Sequence, residues 1–106
     1  MTLEPDLTAI FITANVTPES FANAVQGILL EAIGGLPLIS VSQKPMGLGH
    51  NINVGDELRS HVNIYRQALI GADEAKTNYI AICEDDVLYS PAHFKYRPKN
   101  KPFAYN

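Results

Sequence analysis

Glu84-Asp85-Asp86 is the sharpest chemical feature of this sequence. Three adjacent carboxylates repel one another, and they follow directly on the apolar run Tyr79-Ile80-Ala81-Ile82-Cys83. Ending a buried strand on such charge costs stability unless a counter-charge neutralises it. A divalent cation does so, and all-oxygen ligation selects a hard ion such as Mg²⁺ or Mn²⁺. Along an extended backbone alternate side chains share a face, which sets Glu84 with Asp86 and turns Asp85 away. The plainer reading is a solvated acidic turn. The apolar run before it, and its place in an alternation of strands and helices, weigh toward the ligand site.

Other residues offer weaker chemistry. The segment Gly47-Leu48-Gly49-His50-Asn51-Ile52-Asn53-Val54-Gly55 is glycine-rich. A dinucleotide loop needs a third glycine where this chain has Ile52, and should follow the first strand; no GK[ST] of a phosphate loop is present. A flexible loop is the expectation there. His50, His61 and His93 show no metal-ligand spacing with Cys83, which argues against zinc. Cys83 closes an apolar run and reads as a small hydrophobe, not a nucleophile. Ser/His/Asp catalysis lacks a nucleophile elbow. Arg66 is one of few cations outside the last twelve residues; it is either a solvated surface residue or a partner for the acids or a phosphate.

These residues need a scaffold. Thr8-Ala9-Ile10-Phe11-Ile12-Thr13 is short, apolar and β-branched, as a buried strand should be. Thr17-Pro18-Glu19 supplies an N-cap, a proline at the first helical position and an early acid. Phe21, Val25, Ile28, Leu29, Ala32 and Ile33 then recur on one helical face, and Gly34-Gly35 ends the helix. Leu36 to Ser42 is a second strand, with Pro37 tolerated only near its start. Gln43 to Asp56 is a long connection that encloses a short strand at Ile52-Asn53-Val54. From about Asp56 to Lys76, the residues Leu58, Val62, Tyr65, Leu69 and Ala72 predict a second amphipathic helix. Tyr79 to Cys83 is the last strand.

Strands alternating with helices predict an α/β fold with a layered, mostly parallel sheet and flanking helices. Crossovers of one hand bring the strands' carboxyl ends to a single edge, and ligands of open α/β sheets bind outside those ends. The residues so placed are Thr13, Ala14 and Asn15 after the first strand, Ser42 and Gln43 after the second, and the acidic triplet after the last.

The chain has 106 residues, 46% hydrophobic and 18% charged, which predicts one globular domain and excludes a disordered chain. Its formal charge of −3 gives little reason to expect nucleic-acid affinity. Its apolar stretches fall far short of a membrane span, and one cysteine gives no disulfide framework, so a cytoplasmic location is expected. Charge is uneven. Residues 1–94 hold eleven acids and four bases (net −7), whereas residues 95–106 hold four bases and no acid (net +4). Phe94, Tyr96, Phe103 and Tyr105 interleave with those bases. The tail is either frayed or the opening of a further element.

The ordered set resembles the amino-terminal, nucleotide-sugar-binding half of a GT-A glycosyltransferase of the family 2-like group. Thr13-Ala14-Asn15 is similar to that family's turn after its opening strand. Tyr65-Arg66-Gln67-Ala68-Leu69-Ile70-Gly71-Ala72 followed by Thr77-Asn78-Tyr79-Ile80-Ala81-Ile82 is similar to its Ala-Arg-Asn helix end and strand, and Glu84-Asp85-Asp86 falls at its DXD motif. The resemblance spans about residues 8–94. It implies that Asp86 ligates a divalent metal bridging the donor diphosphate, and that Glu84 or Asp85 contacts ribose or the metal. Thr13, Asn15, Ser42, Gln43, Arg66 and Asp85 become candidate donor-binding residues, with Glu84 and Asp86 on the metal. Two positions depart from the family. Ser42 and Gln43 stand where an aspartate often reads the nucleotide, and Gln67 stands where asparagine is commoner.

A domain of that family has about twice this length, with the acceptor site in its later half. On that footing residues 1–94 form a nucleotide-sugar-binding half-domain, and residues 95–106 begin a missing second half. The chain alone is then expected to be inactive and to self-associate through an open sheet edge. Two rivals stand beside this reading. One is a non-catalytic nucleotide- or metal-binding α/β module. The other is a flavodoxin- or receiver-like protein, which would gather its acids from several strand ends instead of stacking three at one.

Overall fold

A computed structural model of the chain describes residues 5–15, 18–55 and 61–97, with the backbone alone for 61–63. The described residues form a small α/β domain with a four-stranded, wholly parallel sheet and two α-helices. The strands are β1 (Leu7–Thr13), β2 (Leu38–Ser42), β3 (His50–Asn53) and β4 (Tyr79–Glu84), in the spatial order β3-β2-β1-β4. Helix α1 (Glu19–Ile33) joins β1 to β2, and α2 (His61–Glu74) lies between β3 and β4. A single 3₁₀ turn, Pro91–Phe94, follows β4.

β1 is central and every one of its residues is buried, because helices cover both faces. Its alternate side chains feed two cores. Leu7, Ala9 and Phe11 meet Val25, Leu29 and Ile33 of α1, together with Leu38, Leu48, Cys83 and Phe94. Ile10 and Ile12 join Ile39 and Val41 on the opposite face, under Ile70, Ala72 and Ala75. Full burial of each Val25-, Leu29- or Ile33-sized side chain contributes about 1.5–3 kcal/mol.

α1 follows its sequence pattern only along its centre. Val25, Leu29 and Ile33, four residues apart, are buried, while Phe21 and Ile28 at the margins of the expected face are exposed. Pro18 precedes the first helical residue and its carbonyl accepts the N–H of Ala22; Thr17, expected as the cap, lies outside the described residues. Gly34 ends the helix with φ 59°, in the half of conformational space where a Cβ is strained.

α2 presents a different face from the one its apolar spacing predicts. Tyr65 and Leu69 are 70% and 65% exposed, and the sheet receives Gln67 and Gly71 instead. The reason is proximity. A Cβ on Gly71 would lie 2.4 Å from Ile10 Cγ2, so the helix approaches β1 and β2 more closely than a bulky stripe permits. Leu58 lies outside the described residues, as does the side chain of Val62.

The connection from Gln43 into β3 is a tied crossover, and residues 47–55, expected as a flexible loop, instead hold buried Leu48 and strand β3. Ser40 Oγ donates to Leu48 O at 2.6 Å, and Leu48 is buried in the α1-side core. Gly49, at φ 57°, passes so close to Leu38 that a Cβ would meet its carbonyl oxygen at 2.4 Å. β3 therefore begins at His50, earlier than its apolar residues suggest, and pairs with β2 from Ile39↔His50 to Ser42↔Asn53. The β1–β2 and β2–β3 connections step one way over the α1 face, and the β3–β4 connection steps the other way over the α2 face. All three share one hand.

Candidate functional site

The carboxyl ends of β1, β2 and β4 stand side by side, with Thr13 opposite Ser42 and Ile12 opposite Glu84. A chain of hydrogen bonds crosses them. Thr13 Oγ1 donates to Asp85 Oδ2 at 2.6 Å and accepts the backbone N–H of Asn15 at 3.0 Å. Asn15 Oδ1 in turn accepts the backbone N–H groups of Gln43 and Lys44, each at 2.9 Å. Asn15 reaches both because its backbone is left-handed, φ 61°, a conformation that asparagine tolerates better than most residues. Four expected residues, Thr13, Asn15, Gln43 and Asp85, thus form one connected unit.

Ser42 has another task. It is fully buried, its hydroxyl donates to Lys44 O at 2.6 Å, and it accepts from Asn51 Nδ2 at 2.9 Å. Its side chain shapes the loop after β2 and has no surface to offer a ligand directly. Gln43 is buried as well. Arg66 is exposed on α2, next to the buried Gln67.

The acidic residues divide. Glu84 closes β4 on the α2 face and is exposed, whereas Asp85 is half-buried against Thr13 on the α1 side. That separation follows the strand alternation. Asp86 does not continue it, because β4 stops at Glu84 and the chain turns at Asp85-Asp86. The turn is fixed from behind by Tyr89, whose Oη accepts the Glu84 backbone N–H at 2.9 Å. Burial pushes the Tyr89 hydroxyl above the usual tyrosine range; the bond from Glu84 opposes this, while the negative groups nearby, Glu84 and Asp86 among them, reinforce it. The ring is held 4.7 Å from that of His93 and 6.1 Å from that of Phe94, which is buried in the α1-side core. Phe94, grouped in the sequence with the tail aromatics, is therefore a core residue. Tyr96 is exposed, and Phe103 and Tyr105 lie outside the described residues.

The sequence assigns no site role to two residues that are central to this edge, although Gln67 stands in the family-like stretch and Asn51 in the glycine-rich segment. Gln67 Nε2 donates to Thr13 O at 2.9 Å and to Val41 O at 3.0 Å, tying α2 to the ends of β1 and β2. Asn51 binds Ser40 and Ser42 with its amide nitrogen and the Met46 N–H with its oxygen. The available signal for Gln67 was its spacing of four from Gly71, which marks a close-packed helix stripe.

Cys83 is fully buried, and desolvation pushes its thiol up to about 12, which suits packing and not nucleophilic attack. Among the described residues no buried side-chain nitrogen or oxygen lacks a partner, and no three His, Cys, Asp or Glu side chains converge as a metal-holding group. None of the described helices is long and apolar enough to cross a membrane. No protein-family model matches the chain, and no curated protein or solved structure matches it.

Proposed function

We propose that this chain is the nucleotide-sugar-binding part of a GT-A-like glycosyltransferase, with its donor site at the carboxyl edge of the sheet. The observation that carries the reading is the Thr13–Asp85 bond, which joins the turn after β1 to the acidic turn after β4. Ligands of open parallel sheets bind at such an edge.

A divalent cation fits the donor chemistry found there. Glu84 ends β4 and Asp86 lies in the turn that follows; both are exposed oxygen donors two residues apart in the chain, whereas Asp85 is already engaged by Thr13. Two carboxylates suit Mg²⁺ or Mn²⁺ whose remaining positions are filled by water and donor phosphates. When bound, the cation would neutralise the diphosphate that leaves as the acceptor attacks the sugar. The chain's own residues act by positioning. Thr13 orients Asp85, Tyr89 fixes the backbone of Glu84, and Asn15 holds the Gln43-Lys44 backbone at the edge where the nucleotide would lie.

The test is a thermal-shift titration of the chain with Mn²⁺, with nucleoside diphosphates, and with both. Together they should raise the melting temperature more than the sum of either alone; saturation at about 100 times Kd corresponds to about 2.7 kcal/mol. Asp86→Asn should abolish that synergy and leave the apo fold intact. Additive or absent shifts with every common nucleoside diphosphate would refute the reading.

A non-catalytic nucleotide-binding module is the second reading. In its favour, the Ser42 hydroxyl and Asn15 Oδ1 are occupied in shaping loops. Synergistic binding without donor hydrolysis or sugar transfer would select it.

A further inference from the structure

β4 is an edge strand, and its outer side is chemically incomplete. The Tyr79 N–H bonds to Asp6 O, so odd-numbered residues of β4 turn their backbone groups toward β1 and even-numbered ones turn outward. Of the outward N–H groups, that of Glu84 is held by Tyr89. Those of Ile80 and Ile82 have no partner among the described residues. The same two residues are apolar on the exposed α2 face, where α2 packs over β1 and β2 and leaves Ile80 and Ile82 42% and 37% exposed. An edge with free donors and two uncovered isoleucines is a template for another strand.

The chain that follows β4 is poorly placed to fill it. Phe94 carries this chain across the α1 face, and Arg97 reaches the amino end of β1, donating to both Asp6 carboxylate oxygens at 3.1 and 2.9 Å. A strand laid from there along the outer side of β4 would complete a crossover opposite in hand to the three already in the sheet.

We infer that the occupant is a second copy of this chain, with β4 pairing antiparallel to its counterpart about a two-fold axis. Isologous contact of two identical edges requires antiparallel pairing. The register is selected by side chains. Setting Ile80 opposite Ile82 of the other copy makes both hydrogen-bonded pairs from the free outward groups and packs four isoleucines on one face. Centring the pair on Ile82 would need the Glu84 N–H that Tyr89 holds, and would put that carboxylate against an isoleucine. Centring it on Ile80 would set Ile82 against Asn78. The chosen register places Glu84 opposite Asn78, two residues from the other copy's Lys76, and keeps the two acidic turns at opposite ends of the interface. It does not depend on the nucleotide-sugar reading.

The test uses the whole chain. Size-exclusion chromatography with light scattering should give twice the 11.6 kDa of one chain, and Ile82→Lys should return it to one. The axis passes through Ala81, which faces itself as a non-hydrogen-bonded pair about 4.5 Å apart at Cα, within disulfide reach. Ala81→Cys should therefore cross-link to a covalent dimer under mild oxidant, while Ile82→Cys, offset from the axis, and the wild type with Cys83 alone should not. If Ile82→Lys does not fold, this cross-linking pattern decides. A monomer at every concentration, a dimer that survives Ile82→Lys, or equal cross-linking at both positions would overturn the inference.

Discussion

Thr13 and Asp85, 72 residues apart in sequence, share a hydrogen bond of 2.6 Å in which the hydroxyl donates to the carboxylate. The same oxygen accepts the Asn15 N–H. One small side chain therefore fixes both the turn after β1 and the acidic turn after β4, and its hydroxyl matters more than its bulk. Thr13→Val keeps the shape and removes both bonds. It should cost about 1–3 kcal/mol by urea denaturation, and Thr13→Ser should recover most of that loss.

Gln67 predicts a pH-dependent variant. Its amide nitrogen donates to two carbonyls, Thr13 O and Val41 O. Gln67→Glu places an acceptor against both, which disfavours the charged form and raises that carboxyl's folded pKa above its unfolded value. The fold should lose at least about 2 kcal/mol at neutral pH. Because the folded state then binds the proton more tightly, part of that loss should return as pH falls through the raised pKa. Chemical denaturation at neutral and mildly acidic pH checks the sign.

The glycines of the two helices should respond in opposite directions. Gly71→Ala would push a methyl to 2.4 Å from Ile10 Cγ2 and 3.3 Å from Val41 Cγ2. Overpacking of about 1–3 kcal/mol then opposes the helix-propensity gain of about 1 kcal/mol. Gly27 in α1 is exposed and meets nothing within 4 Å. Gly27→Ala should stabilise by about 0.5–1 kcal/mol, and comparing the two melting temperatures tests the close approach of α2.

His93 supplies a second pH effect. Burial beside Tyr89 and Phe94 holds its imidazole below the ordinary value of 6.5. The unfolded chain then binds the proton first, so stability should fall as pH drops below about 6.5 toward the folded pKa. His93→Phe keeps the ring contact and removes the titration, and should flatten the stability profile over that range. The Asp6–Arg97 pair does not interfere. Its bonds hold the Asp6 carboxyl below 3.8, so that contribution is lost only in more acidic solution.

The sequence by itself determined the order of strands and helices, because each is a local pattern. A β-branched run makes β1, a four-residue spacing of Val25, Leu29 and Ile33 makes the buried line of α1, and an acidic triplet stops the apolar run of β4. It also placed Thr13, Asn15, Gln43 and Asp85 at one edge, since parallel strands joined by crossovers of one hand leave no other arrangement. Only the tertiary structure decided which side of α2 faces the sheet. Tyr65 and Leu69 are more apolar than Gln67 and Gly71, so local hydrophobicity favours the wrong face. The packed helix must instead pass close to Ile10 and Val41 and bond the carbonyls of Thr13 and Val41, groups that come together only when distant strands pair. Ser42 turned inward and Phe94 drawn into the core have the same cause: each side chain's surroundings are built by residues far from it in the chain.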